Sequence, residues 1–241
     1  MSDTIETAAE TADAASDAGP LLHTSIYEEL RRRLITGIIA PGDGLSTRTL
    51  AGELGVSQMP VRDALSRLSA EGALLIRSKR RIEVPPMTAA RFDDLLKCRL
   101  TLEPEAAVTA MPHINAAGLE RLRRIDSDLD RAIAADDMQG YTELNAAFHF
   151  ALYRSGGRDI LNRLIETLWL QFGPFMRVVY GRYGTANLAD QHELALAALR
   201  DRDPEALGRA ITADIRDGMS LIGAGDFRGA PTHEARRSAG S

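Results

Sequence analysis

Between Ser25 and about residue 70 the apolar positions recur every three to four residues, in three short runs separated by turn residues. Ile26, Leu30, Leu34 and Ile35 form the first stripe, and Ser25 with Glu28 reads as a capping box that starts it. Gly37 and the Pro41-Gly42 turn end it. Ser46 caps a second, shorter helix bearing Leu50 and Leu54. Gly55-Val56-Ser57 is a tight turn, with Ser57 as the cap of a third helix that buries Val61, Ala64, Leu65 and Leu68 and stops at Gly72. The period then changes. Leu74-Leu75-Ile76 and Ile82-Glu83-Val84 flank a basic tip, Ser78-Lys79-Arg80-Arg81, as the arms of a short β-hairpin do. Pro85-Pro86 breaks the chain there and marks the domain boundary.

From Thr88 onward the pattern is helical nearly throughout, with helices predicted near 89–110 (interrupted at Pro104), 116–135, 138–155, 159–183, 188–200 and 204–222. Asn115, Asp159 and Asn187 suit N-caps, and Pro204 suits a first turn. No β-rich run intervenes, so this half reads as an antiparallel all-helical bundle. The fold class is therefore mostly α: an N-terminal winged helix-turn-helix with a small β-hairpin wing, then the bundle. Trp169, Phe172 and Phe175 are spaced as a helix stripe and read as core.

Composition adds the ends and the setting. Residues 1–20 hold almost no large apolar side chain and read as a disordered acidic tail, and 225–241 read as a flexible C-terminal tail. That leaves 21–86 for the winged helix and 87–224 for the bundle. A 44% hydrophobic, 26% charged chain with no apolar run long enough for a bilayer and no secretory signal is expected in the cytoplasm, with no membrane partner. The lone cysteine, Cys98, forms no intramolecular disulfide, and its neighbours place it on an apolar helix face as a buried thiol.

The net charge of -5 is unfavourable for nucleic acid until it is divided. Residues 1–20 carry five acids and no Lys or Arg, whereas residues 21–86 carry ten bases against seven acids. The winged-helix segment alone has the sign that DNA requires. In a helix-turn-helix the first residues of the second helix reach base edges in the major groove. Here those are Gln58, Met59 and Arg62: Gln pairs with adenine, Arg with guanine, and Met touches thymine methyls. Arg48, opening the bracing helix, and Lys79 and Arg80 at the hairpin tip lie where phosphates pass.

In the bundle, Asn145 and His149 are four apart and share a helix face, His192 lies on a later helix and Asp214 on the last. Imidazoles and a carboxylate on facing helices suit zinc, nickel, iron or manganese, and they equally suit a polar pocket binding an organic ligand directly. Arg99 and Glu103 have the spacing of a surface ion pair. Arg177 and Tyr180 are lesser pocket candidates.

The stretch PGDGLSTRTLAGELGVSQMPVRDALSRLSAEGAL, residues 41–74, resembles the signature of GntR-type regulators. The resemblance places Arg48, Ser57, Gln58 and Arg62 at DNA-contacting positions. Gln58 stands where Arg is common, and Arg81 replaces the usual wing glycine. Residues 91–222 are similar to the FCD domain of the FadR-type branch, through Arg99 with Leu102-Glu103, LNAAFHFAL at 144–152, QHELALAAL at 191–199 and DPEALGRAITADI at 203–215. That similarity implies a metal and effector site on Asn145, His149, His192 and Asp214, with Asn in place of the family Asp and Asp in place of its last His. It also implies that Arg99 faces the effector cavity, where its guanidinium clamps a carboxylate. The expected function is a DNA-binding transcriptional regulator, a repressor acting as a homodimer on operator DNA and controlled by a small organic acid. Two other readings stay open: a metal-dependent helical hydrolase on His149, His192 and Asp214, which lacks an accompanying nucleophile or general-base motif, and a DNA-binding protein with a non-functional sensor pocket.

Overall fold

The computed structural model describes residues 24–78, 81–177, 180 and 190–226. The chain divides into two compact units, one ending at Pro85 and the other starting at Pro86. The expected tail at 1–20, the tip residues Lys79 and Arg80, and the cap Asn187 lie outside the described residues, as does the tail expected over 225–241 except for 225 and 226, which the last helix takes in instead.

The first unit has three helices and a hairpin: α1 (24–35), α2 (Thr47–Leu54), α3 (Gln58–Ala70), β1 (Leu75–Ser78) and β2 (Arg81–Glu83). Helix α1 is already under way at residue 24, so Ser25 lies inside it and the expected capping box is not made. Glu28 instead takes a hydrogen bond from Arg31 at 3.1 Å. Leu30, Leu34, Leu50, Val61, Leu65 and Leu68 are buried and form one small core, as their spacing requires. The Tyr27 hydroxyl donates to Glu71 at 2.6 Å, fastening α1 to the end of α3. Ser46 caps α2 by accepting from the Thr49 amide, and Gly55 ends it at φ 66°, a left-handed conformation that favours glycine. In the hairpin Ile76 opposes Ile82, and Leu45 bridges to Ile82 on its other side.

The second unit is helical throughout its described residues: α4 (Ala89–Ala110), α5 (Ala116–Ala134), α6 (Met138–Arg154), α7 (Asp159–Phe172), α8 (Gln191–Asp201) and α9 (Pro204–Asp226). Helix α4 packs on α6, α7 and α9, while α5 packs on α6 and α8, so every helix contributes to one interior. Thr88, Asn115, Asp137 and Asp190 cap their helices by accepting from a backbone amide in the first turn.

Four further expectations are corrected. Pro104 does not interrupt α4, which runs straight through it. The helix expected over 159–183 is interrupted after Phe172, because Gly173-Pro174 turns the chain into a 3-10 segment that a proline enters easily; 176, 177 and 180 are helical again. Arg158 occupies the cap position of α7, and Asp159 falls in the first turn, where its charge still favours the helix dipole. Cys98 is exposed. The buried face of α4 is set by Leu95, Arg99, Glu103, Ala106 and Ala110, and a residue next to Arg99 is turned away by about 100°. No described helix is long and apolar enough to cross a membrane.

Candidate functional site

Helix α4 carries two charged residues on its buried face. Arg99 and Glu103 are 3% and 0% exposed, one turn apart, and paired at 2.5 Å from Nε to Oε1. A buried charge must be matched and its remaining atoms bonded. Glu103 Oε2 accepts further hydrogen bonds from the Tyr153 hydroxyl at 3.0 Å and the Trp169 indole N–H at 3.1 Å. Arg99 lies between rings, its guanidinium carbon 4.9 Å from the Trp169 centroid and 4.3 Å from that of Phe172. The i,i+4 pair is thus made, in the interior rather than on the surface, and Arg99 also lines the central cavity. Because Nε and one Nη serve Glu103, only the outer end of the guanidinium is left for a ligand.

The cavity is about 60 Å³ and brings together Asn145, His149, His192 and Asp214, the four residues singled out by their spacing. A hydrogen-bond relay fixes the imidazoles. The Tyr153 hydroxyl donates to Glu103, so its oxygen is free to accept from Nδ1–H of His149 at 3.0 Å. Asp126 accepts from Nδ1–H of His192 at 3.1 Å. Each ring therefore turns an Nε2 lone pair inward. The two Nε2 atoms are 3.3 Å apart, and the Asp214 carboxylate lies 3.2 Å from that of His149 and 3.9 Å from that of His192. Their ligating atoms all fall within 4.8 Å of one another. Three acceptors facing one another need a shared cation, a proton or a metal. Two imidazoles and one carboxylate, each ring oriented from behind by an outer partner, suit a borderline divalent metal with positions left for an outside ligand.

Electrostatics follow the same geometry. Burial alone would raise the Asp214 pKa, but His149, His192 and Arg99 outweigh it and hold the carboxyl at about 2, below its ordinary 3.8. Burial opposes a charge on His192, yet the Asp126 hydrogen bond and the charges of Asp214 and Asp126 raise its pKa. Burial and Glu103 push the Tyr153 hydroxyl well up, keeping it a donor. A depressed carboxyl stabilises the fold in full above its unfolded value and loses that contribution as pH falls toward the folded value. The stability gap between wild type and Asp214→Asn in chelator should accordingly be widest near pH 7 and shrink as pH falls from about 4 toward about 2. Urea unfolding at pH 7, 4 and 3 checks this; a constant gap would contradict the coupling.

In the first unit, Gln58, Met59 and Arg62 are all exposed along the opening turns of α3, Met59 at 57%. Arg48 is exposed at the start of α2. Ser57 holds the cap position of α3 in an extended conformation, but its hydroxyl makes no capping bond. That hydroxyl and the first amides of α3 are available to an anion. In the wing, Arg77 and Arg81 both bond to Glu83, at 2.8 and 3.1 Å.

Residues 22–84 match the family described as bacterial regulatory proteins, gntR family, and residues 94–217 match the FCD domain. The chain belongs to the GntR family, in its FadR-type, FCD-bearing branch. Among its relatives is the HTH-type transcriptional regulator McbR of Escherichia coli, 29% identical over 85% of this chain and 96% of that protein. The solved structure of E. coli McbR superposes with a TM-score of 0.77 over 83% of this chain and 96% of that one. The HTH-type transcriptional repressor RspR of E. coli is 27% identical over 81% of this chain and 86% of its own length. The gluconate operon transcriptional repressor of Bacillus subtilis is 24% identical over 78% and 80%. The chain is a GntR-family transcriptional regulator with an FCD effector-binding domain, and its relatives McbR and RspR are HTH-type transcriptional regulators.

Spacing alone did not point to three residues of this GntR site: Glu103 as its buried anchor, Tyr153 and Asp126. Asp126 did leave a signal, since it falls on the inner stripe of α5 between Leu122 and Leu129, where a charge has no bland explanation. Arg177 is exposed and outside the cavity lining. Tyr180 leans on Tyr141, 5.1 Å between centroids, and donates to Asp136 at 2.8 Å.

Proposed function

We propose that the chain is a ligand-controlled repressor that binds a two-fold operator as a homodimer, and that its FCD cavity holds one divalent metal and a small carboxylate effector. The observation that carries the reading is the convergence of His149 Nε2, His192 Nε2 and Asp214 on one point, with both Nδ1 atoms already committed to outer partners. His149, His192 and Asp214 would hold the metal, with Asn145 beside them in the cavity wall. Bound there, the metal would supply a Lewis-acidic anchor for one ligand oxygen. Arg99 offers the outer end of its guanidinium to the other oxygen. A cavity of about 60 Å³ limits the ligand to a few heavy atoms beyond its carboxylate. Two relatives are repressors by name, one of them of a gluconate operon, which supports the sign of regulation. The homodimer rests on readout: one winged helix covers a few base pairs, and two-fold symmetry doubles them.

The deciding experiment is elemental analysis with native mass spectrometry on protein purified without chelator, followed by operator titrations with and without carboxylates. About one metal per chain, and a carboxylate that lowers operator affinity, are expected. Linkage then requires that carboxylate to bind the DNA-free protein more tightly by the same factor. Equal affinity with and without operator would leave the reading of a DNA-binding protein with a non-functional pocket.

On the DNA side, Gln58, Met59 and Arg62 are taken as the base-reading residues, with Arg48, Ser57, Lys79 and Arg80 on phosphate. Arg62→Ala should cost about 1–3 kcal/mol of specific binding and relax preference at one base position. Arg48→Ala should weaken all sequences alike and flatten the salt dependence. Unchanged operator affinity in Arg62→Ala, read by fluorescence anisotropy, would remove α3 as the recognition helix.

A further inference from the structure

The cavity has two chemically different ends. Its deep end holds the converging His149, His192 and Asp214 and the outer end of Arg99, with Arg99 and His149 almost fully buried. Its outer lining carries Asp130, Asp190 and Asp217, none of them buried, and no Lys or Arg among the described lining residues except Arg99. Gln191 also lines it and donates to Asp217 at 3.1 Å. The acids feel one another: burial and the charges of Asp126 and Asp190 raise the Asp130 pKa. A second observation points to a ligand independently. Asn145 is nine-tenths buried in the same wall, and its side-chain amide makes no hydrogen bond to another described residue. The amide opens on the cavity, where a ligand or water can complete its hydrogen bonds.

Charge balance then decides the ligand class. On sequence alone, a metal with one carboxylate ligand and a free Arg99 leave an excess of positive charge that any anion would satisfy. Glu103 cancels Arg99, and Asp126 stands behind His192, so a divalent metal would only bring the deep end to neutrality. A simple acid entering it would leave its own negative charge facing Asp130, Asp190 and Asp217, and a dicarboxylate would be worse.

We infer that the effector is a small zwitterion of amino-acid type, its carboxylate at the deep end and its ammonium held by the carboxylates of the cavity mouth. This rests on the reading of the cavity as the carboxylate-effector site. The ammonium offers three donors to acids that otherwise repel one another, and the Asn145 amide completes the polar wall. Discrimination comes from the mouth, affinity for the acid group from the deep end.

The test is calorimetric and thermal-shift titration of the full-length protein with the common L-amino acids, with the 2-hydroxy acids of the same carbon skeletons, and with primary amines lacking a carboxylate. At least one amino acid should bind at least about tenfold more tightly than its hydroxy-acid counterpart, the worth of a hydrogen-bonded charge pair. In an Asp130→Asn/Asp217→Asn variant that gap should narrow while the hydroxy-acid affinity holds or rises. Both substitutions lie at the open mouth, and the variant's own unfolding curve reports that it is folded. Hydroxy acids or dicarboxylates binding as tightly as amino acids, with the gap unmoved in the variant, would overturn the inference and leave the carboxylate reading intact. Binding of the plain amines alone would overturn the carboxylate reading, and binding of nothing in all three sets would overturn both.

Discussion

Glu103→Ala should destabilise the second unit by about 3–5 kcal/mol, the cost of leaving a buried charge without its partner. Glu103 is fully buried and serves three donors at once: Arg99, Tyr153 and Trp169. Removing it strands a 3% exposed guanidinium and leaves an indole N–H and a phenol without acceptors in the same interior. Conservative replacement separates the contributions. Glu103→Gln keeps an acceptor for the two neutral donors and loses only the charge, so it should cost less than Glu103→Ala. Replacing both members, Arg99→Met with Glu103→Leu, should recover much of the loss, because an apolar pair of similar volume removes both desolvation penalties. Urea unfolding followed by Trp169 fluorescence reports directly on this cluster. A Glu103→Ala cost below about 1 kcal/mol would mean that the pair is dispensable and that Arg99 finds another counter-ion.

That cluster also shows what a sequence yields and what it withholds. The Ser46 and Asn115 caps and the glycine at Gly55 were legible because capping and left-handed turns need only local residues. The breaks are harder to read where tertiary packing overrides propensity: Pro104 is tolerated inside α4, which packs against both α7 and α9. Residue type and the four-residue step nominate Asn145, His149, His192 and Asp214 as candidates, and the family resemblance strengthens the set, but nothing in their spacing places α6, α8 and α9 around one point. Glu103 shows the limit most clearly. Spacing predicts its pairing with Arg99, and only packing decides that the pair is interior, and hence that Arg99 is not a free cation. That pairing, together with Asp126 behind His192, removes the excess positive charge that the cavity would otherwise carry.

Metal affinity should fall in two steps of different size when the site is dismantled from the outside inward. Asp126 touches no ligating atom of the cluster; it holds His192 through Nδ1, so that Nε2 faces His149 and Asp214. Asp126→Ala frees the ring to rotate and to take the wrong tautomer, and loss of such an outer partner costs roughly 10–100-fold in affinity. His149→Ala removes a ligand outright and should cost more than that roughly 10–100-fold, leaving one imidazole and one carboxylate, too few for a tight divalent site. Tyr153→Phe belongs with the first group, because the hydroxyl passes the influence of Glu103 to His149 Nδ1. Competition titrations with a chromophoric zinc chelator order the variants, and circular dichroism confirms that each remains helical. The order wild type, then Asp126→Ala and Tyr153→Phe, then His149→Ala is the signature of a metal held on Nε2 atoms and oriented from behind. If Asp126→Ala and Tyr153→Phe bind zinc as tightly as wild type while His149→Ala also retains it, the metal sits elsewhere and the converging acceptors share a proton instead.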